Sequence, residues 1–139
     1  MSHKIISNFK GGMTFETDMD GHKVIVDADP QFGGENHGPL PKPLVLTSLS
    51  GCTGMDVVSL LKKMRVEFAD FNIEIEGELT DEHPKYYKTI HIIYSVRVNK
   101  ESQAKFKKAV DLSQERYCGV SYMLSQSSEL TYEIKFSDL

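Results

Sequence analysis

Cysteine is scarce in this chain of 139 residues: there are two, Cys52 and Cys118. Two thiols so far apart are not the framework of a small disulfide-stapled secreted protein. The opening stretch MSHKIISNFKGG lacks the apolar segment of a secretory signal, and no stretch reads as long enough to span a membrane. The expected compartment is therefore the cytoplasm, where thiols are mostly reduced and a disulfide is more often catalytic than structural. Dense basic clusters are also missing. Net charge is -4, and the groups Lys62-Lys63-Arg65 and Lys105-Lys107-Lys108 read as solvated helix faces, so no nucleic-acid partner is expected. There is no glycine-rich phosphate loop and no GxSxG elbow, and His3, His22, His37, His83 and His91 have no metal-ligand spacing. Two cysteines alone do not complete a zinc site. No cofactor and no metal are expected.

What is present describes an ordinary globular chain. Apolar residues make up 40% and charged residues 26%, which suits one packed core rather than disorder. The length fits a single domain over 1–139, or one subunit of a compact dimer. Residues 3–26 read as short strands. Met13, Phe15 and Thr17 share a face, and Asp20-Gly21 ahead of Lys23–Val26 signals a hairpin. Residues 27–43, rich in proline and glycine, read as a long irregular loop, of the kind that covers a site or wraps a partner.

From Leu44 to about Arg65 the pattern is helical, with Pro43 suited to the first turn. Its first half is apolar or small on nearly all sides, which predicts a helix buried all round. Gly51 and Gly54 within it predict a close neighbour, either another helix or a partner subunit. Phe71, Ile73, Ile75 and Leu79 alternate with polar residues, as do Ile90, Ile92, Tyr94, Val96 and Val98. They form an antiparallel strand pair. Asn99 is placed to cap a helix of roughly four turns, a second helix begins at Cys118, and Leu130–Phe136 closes the chain as a strand. The order βββ–α–ββ–α–α–β predicts an α+β fold with mainly antiparallel sheets.

The two cysteines are the one chemical candidate. Cys52 shares a helix face with Asp56, and Cys118 at a helix start stands where free N–H groups favour a thiolate. The plainer reading makes both inert core residues. Asp56 would disfavour a Cys52 thiolate unless a cation intervenes. It reads equally as a helix-face carboxylate paired with a lysine or hydrogen-bonded at a dimer interface.

The run from Gly38 to Val58, GPLPKPLVLTSLSGCTGMDVV, resembles the central helix of the OsmC/Ohr family, the osmotically inducible and organic-hydroperoxide-resistance proteins. Tyr117-Cys118-Gly119-Val120-Ser121 resembles that family's second-cysteine segment, and the likeness covers essentially the whole chain. The resemblance implies an OsmC-like fold, an intertwined homodimer with sheets wrapped around long central helices, and a thiol peroxidase. Cys52 would attack the peroxide, Cys118 would resolve the sulfenic acid to a disulfide, and a thiol or dithiol would reset the pair. The two Cα atoms would then have to lie about 4.4–6.8 Å apart. The family's peroxidases use an arginine from the N-terminal half and a glutamate about ten residues before the first cysteine. Here the arginines are Arg65, Arg97 and Arg116, and the glutamate region reads Pro41-Lys42-Pro43. Lys42 and Glu35 are the charged residues available as substitutes, against the plainer reading of both as solvated loop residues. The alternative function is an OsmC-like binding or stress-response protein with weak or no catalysis.

Overall fold

The computed structural model describes residues 1–139, which fall into two compact units, Met1–Val45 and Leu46–Leu139. In the first, β1 (Ile6–Phe9), β2 (Phe15–Met19) and β3 (His22–Val26) form an antiparallel sheet in that order. The β2–β3 turn is the hairpin expected from Asp20-Gly21. Both residues have positive φ, 50° and 78°, a conformation glycine adopts without strain and aspartate tolerates better than most.

After β3 the loop folds around one carboxylate. Asp27 is buried and accepts hydrogen bonds from the backbone N–H groups of Ala28 (2.8 Å), Glu35 (3.1 Å) and His37 (3.1 Å) and from the Thr14 hydroxyl (3.2 Å). A side chain at Gly34 would collide with the Ala28 carbonyl oxygen, only 1.7 Å from where its Cβ would stand. The loop is thus a packed structure, pinned by Asp27.

Helix α1 runs Pro43–Lys63, with proline at its start as expected. Its buried residues are Leu49, Thr53, Val57 and Leu61, a single stripe at four-residue spacing. The expectation of burial on all sides is corrected for the chain by itself: Met55 is 74% exposed and Val45 37%. Gly54 has Ile73 close by, but nothing lies within 4 Å of a side chain built at Gly51. A second correction concerns membrane crossing. By length and hydropathy α1 is long and apolar enough to span a bilayer, contrary to the reading of the sequence. Core helices pass the same test, and the α1 stripe packs into the protein's own core beside the buried chains of the second sheet.

That sheet has the order β4-β5-β6, with β4 (Phe68–Leu79), β5 (Tyr87–Val98) and β6 (Glu129–Ser137). β4 and β5 are antiparallel, as expected, with a bulge between Ala69 and Asn72 where Asp70 takes positive φ (48°). β6 departs from the antiparallel expectation and pairs parallel to β5, Ile90 opposite Leu130 and Tyr94 opposite Ile134. The connection is a long helical crossover, which allows a strand to return in the same direction. The alternating residues of β5 supply the centre of the core: Ile90, Ile92, Tyr94, Val96 and Val98 are all buried.

The crossover is helical in four pieces: a short 3₁₀ turn (Lys100–Ser102), α2 (Gln103–Leu112), a π-helical turn (Ser113–Tyr117) and α3 (Gly119–Ser125). Asn99 is the N-cap of the 3₁₀ turn that opens the crossover, as expected, with Glu101 in the first turn, although its side chain makes no capping bond. Phe106, Ala109 and Val110 are the buried face of α2.

Candidate functional site

α1 carries three adjacent contributors. Thr53 belongs to the buried stripe, with Cys52 beside it and Asp56 one turn beyond Cys52. From the sheet, the central strand β5 presents Tyr94 on its buried face. From the crossover, the π-helical turn brings Ser113 and Gln114 inward and delivers Cys118 as the N-cap of α3. The Cys118 N–H donates to the Ser113 carbonyl at 2.8 Å, closing the wide turn. Inserted π turns recur at functional sites because they re-aim the residues that follow.

The two sulfurs and an Asp56 carboxylate oxygen all lie within 4.8 Å of one another. Both cysteines are free, Cys118 buried and Cys52 half-buried. The structure therefore assembles the pair singled out in the sequence, together with the carboxylate predicted to share the Cys52 face.

Beside them runs a buried chain of hydroxyls. Thr53 Oγ1 is 2.6 Å from the Tyr94 hydroxyl and 2.7 Å from Ser113 Oγ, and Ser113 donates to Asp56 Oδ2 at 3.0 Å. The Gln114 amide donates to Tyr94 (2.7 Å) and to Thr53 (3.2 Å). Asp56 is thus oriented by a hydroxyl, and none of the chain's ion pairs includes it. Burial pushes the Tyr94 phenol up, against the Thr53 and Gln114 hydrogen bonds, and the nearby Cys118 and Asp56 push it further.

Cys118 corrects one expectation. The Ser121 N–H does point at its sulfur, at 3.4 Å, as a helix start requires. Burial nevertheless outweighs the Ser121 N–H and hydroxyl, and with Cys52 alongside the thiol is pushed up, not down. The Ser121 hydroxyl is itself buried without a hydrogen bond of ordinary geometry, although near enough to the sulfur to favour its ionised form. A cleft of about 740 Å³ reaches Cys118 and is lined also by Gln114, Tyr117, Ser121, Tyr122 and Tyr132.

Of the other charged residues weighed in the sequence, Glu35 and Lys42 are exposed. Glu35 gives its backbone N–H to Asp27, and the Lys42 carbonyl accepts from Val45 in the turn opening α1. Arg97 pairs with Asp70 at 2.9 Å, and Arg116 lies over the Tyr117 ring at 5.5 Å. Thr53, Tyr94, Ser113, Gln114 and Ser121 were not singled out in the sequence. A usable signal existed for two of them: Thr53 and Tyr94 are hydroxyl-bearing residues at positions where the periodicity demands a buried side chain.

Comparison with known proteins bears on the family and the fold. Residues 33–133 match the family described as OsmC-like protein. The protein YhfA of Escherichia coli (strain K12) is 31% identical over 122 residues, covering 87% of this chain and 88% of YhfA. A crystal structure of a hypothetical protein from Aquifex aeolicus VF5 superposes with a TM-score of 0.81 at 29% identity, covering 99% of both chains. The organic hydroperoxide resistance protein OhrB of Bacillus subtilis shares the fold at a TM-score of 0.64 and 18% identity, over 97% of this chain and 98% of its own. With the two cysteine segments in place and the family matched over most of its length, this chain belongs to the OsmC-like protein family.

Proposed function

We propose that this protein is a cysteine-based thiol peroxidase that reduces organic hydroperoxides or hydrogen peroxide in cytoplasmic oxidative-stress defence, the whole chain acting as one OsmC-like domain. The observation that carries the reading is the meeting of Cys52 and Cys118, from α1 and the N-cap of α3, with sulfurs within 4.8 Å. Fold-level likeness to a protein named for organic hydroperoxide resistance lends support.

The Cys52 thiolate attacks one peroxide oxygen and the O–O bond breaks. The departing oxygen takes a proton and leaves as an alcohol, or as water when the oxidant is hydrogen peroxide, and Cys52 becomes a sulfenic acid. Cys118 then attacks the Cys52 sulfur, the S–O bond breaks, water leaves and a disulfide forms. A thiol or dithiol reductant returns both residues to thiols and is itself oxidised to a disulfide. The Cys118 sulfur, at the N-cap of α3 and within 4.8 Å of the Cys52 sulfur, is near enough to take the second role.

The same reading includes an intertwined homodimer built on α1. It is supported by the exposed Met55, the open space at Gly51 and the groove they form with Ser50, Gly54, Val58 and Phe71. A large apolar side chain facing water beside small residues is what a packed partner helix would cover.

A coupled assay with a dithiol reductant tests the activity. Wild type is expected to consume hydroperoxide catalytically, and Cys52→Ser to fall to the uncatalysed rate; equal rates for the two would end the proposal. One observation favours a second reading, a binding protein with little catalysis: the charged group beside Cys52 is a carboxylate. Under that reading both thiols remain free after one equivalent of peroxide, whereas the peroxidase loses both to a disulfide.

A further inference from the structure

Cys52, Asp56 and Cys118 have a second chemical use. Counting cysteines and histidines along the chain excluded a metal, because two cysteines alone do not complete a site. The structure adds the ligand that the count lacked: an Asp56 oxygen lies within 4.8 Å of both sulfurs, as the sulfurs do of one another. We propose that in the reduced protein these three side chains form a binding site for a thiophilic divalent cation, zinc in the first instance.

The geometry is close to what zinc requires. With bonds of about 2.3 Å to sulfur and about 2.0–2.2 Å to a carboxylate oxygen, ligand atoms on one tetrahedral ion lie roughly 3.5–3.8 Å apart. Closing the triad from its present spread takes about 1 Å, within reach of side-chain rotation. Cys52 and Asp56 stand one helical turn apart on α1, the same spacing by which helical metal motifs place two ligands on one face. Cys118 approaches from the crossover, so the ion would be held between two elements already packed together.

The surrounding groups resemble the outer support of a metal site. Ser113 donates to Asp56 Oδ2 at 3.0 Å and is tied to Thr53, and through it to Tyr94, which fixes the carboxylate, and a carboxylate has lone pairs to spare for an ion. The buried Ser121 hydroxyl has no hydrogen bond of ordinary geometry. A metal-bound Cys118 thiolate would give that donor an acceptor, alongside the Ser121 N–H already at 3.4 Å. Three protein ligands leave a fourth position for water or a small ligand, and the 740 Å³ cleft reaches Cys118.

Binding exchanges two thiol protons for the cation, and no electrons move. The inference does not rest on the peroxidase reading. It does imply that a metal-loaded site cannot attack peroxide with the same sulfur, so the two states exclude one another.

The test uses the reduced, metal-free full chain, titrated with Zn²⁺ against a chromophoric chelator and in parallel with Cd²⁺. One Zn²⁺ per chain is expected, and Cd²⁺ should produce the ultraviolet charge-transfer band of thiolate ligation. Asp56→Asn should weaken zinc binding by at least about tenfold, and Ser121→Ala by about tenfold. In the wild type, zinc should protect both cysteines from alkylation. Absence of the Cd²⁺ band, or alkylation of both cysteines at the same rate with and without zinc, overturns the proposal whatever the stability of the variants. So does zinc binding undiminished in Asp56→Asn. No step involves peroxide, so failure here and failure of the peroxidase assay are separate results.

Discussion

Thr53 has one hydroxyl, is fully buried, and lies within hydrogen-bond distance of Tyr94, Ser113 and Gln114. Replacing it with valine keeps the shape and takes the acceptor from the buried Tyr94 O–H, while Ser113 keeps its bond to Asp56 and Gln114 its bond to Tyr94. Leaving a buried polar group unsatisfied costs about 1–3 kcal/mol. Thr53→Val is therefore expected to lower the free energy of urea unfolding by that amount, with an unchanged denaturant slope. Asp27 makes a different prediction. Burial raises its pKa, but the N–H groups of His37, Ala28 and Glu35 and the Thr14 hydroxyl outweigh that effect and hold the carboxyl below its ordinary value. A carboxylate with a depressed folded pKa stabilises the protein fully above its unfolded pKa, about 3.9, and loses that contribution as pH falls through the folded value. The stability difference between wild type and Asp27→Asn should thus be constant near neutrality and shrink below about pH 4. Chemical unfolding followed at a series of pH values checks this; a difference that grows on acidification would contradict it.

Among the elements, α1 and β5 carry the core. Leu61 is fully buried in the α1 stripe, so Leu61→Ala should cost about 2–5 kcal/mol, readable as a lower urea midpoint. In the loop after β3, Gly34→Ala would drive a Cβ into the Ala28 carbonyl and is expected to destabilise by at least about 1–3 kcal/mol. These elements were visible in the sequence to different degrees. The alternation on Phe71–Leu79 and Ile90–Val98 revealed both long strands, because the apolar face of β5 is buried and Phe71, Ile73 and Ile75 of β4 are half-buried. The direction of β6 was hidden, since alternation is the same in a parallel and an antiparallel strand. So was the π-helical turn, which has no sequence period of its own. That turn places Ser113 and Gln114 in the site, and for this reason neither was found from the sequence.

At the scale of the molecule, the family likeness and the order of elements were legible from two short cysteine segments and a helix with too few charges. The same helix led to the reading of burial on every side, which a single chain does not provide. Sequence pattern reports the surroundings a helix requires without saying which chain supplies them. If α1 packs against a second copy, light scattering should give twice the chain mass of 15.7 kDa for wild type. Met55→Glu, placing a charge in that contact, should shift the protein toward monomer. A wild type that stays monomeric at high concentration would remove the dimer from the proposal.

The length of chain between Cys52 on α1 and Cys118 at the start of α3 also has a consequence in time. Cys52 leaves the ribosome 66 residues ahead of Cys118, which at about 5–20 residues per second is roughly 3–13 s. Throughout that interval the nascent chain exposes a thiol without its counterpart. Under the proposed peroxidase chemistry, a Cys52 oxidised to a sulfenic acid in that interval has no second cysteine to form a disulfide with, and over-oxidation becomes the competing outcome.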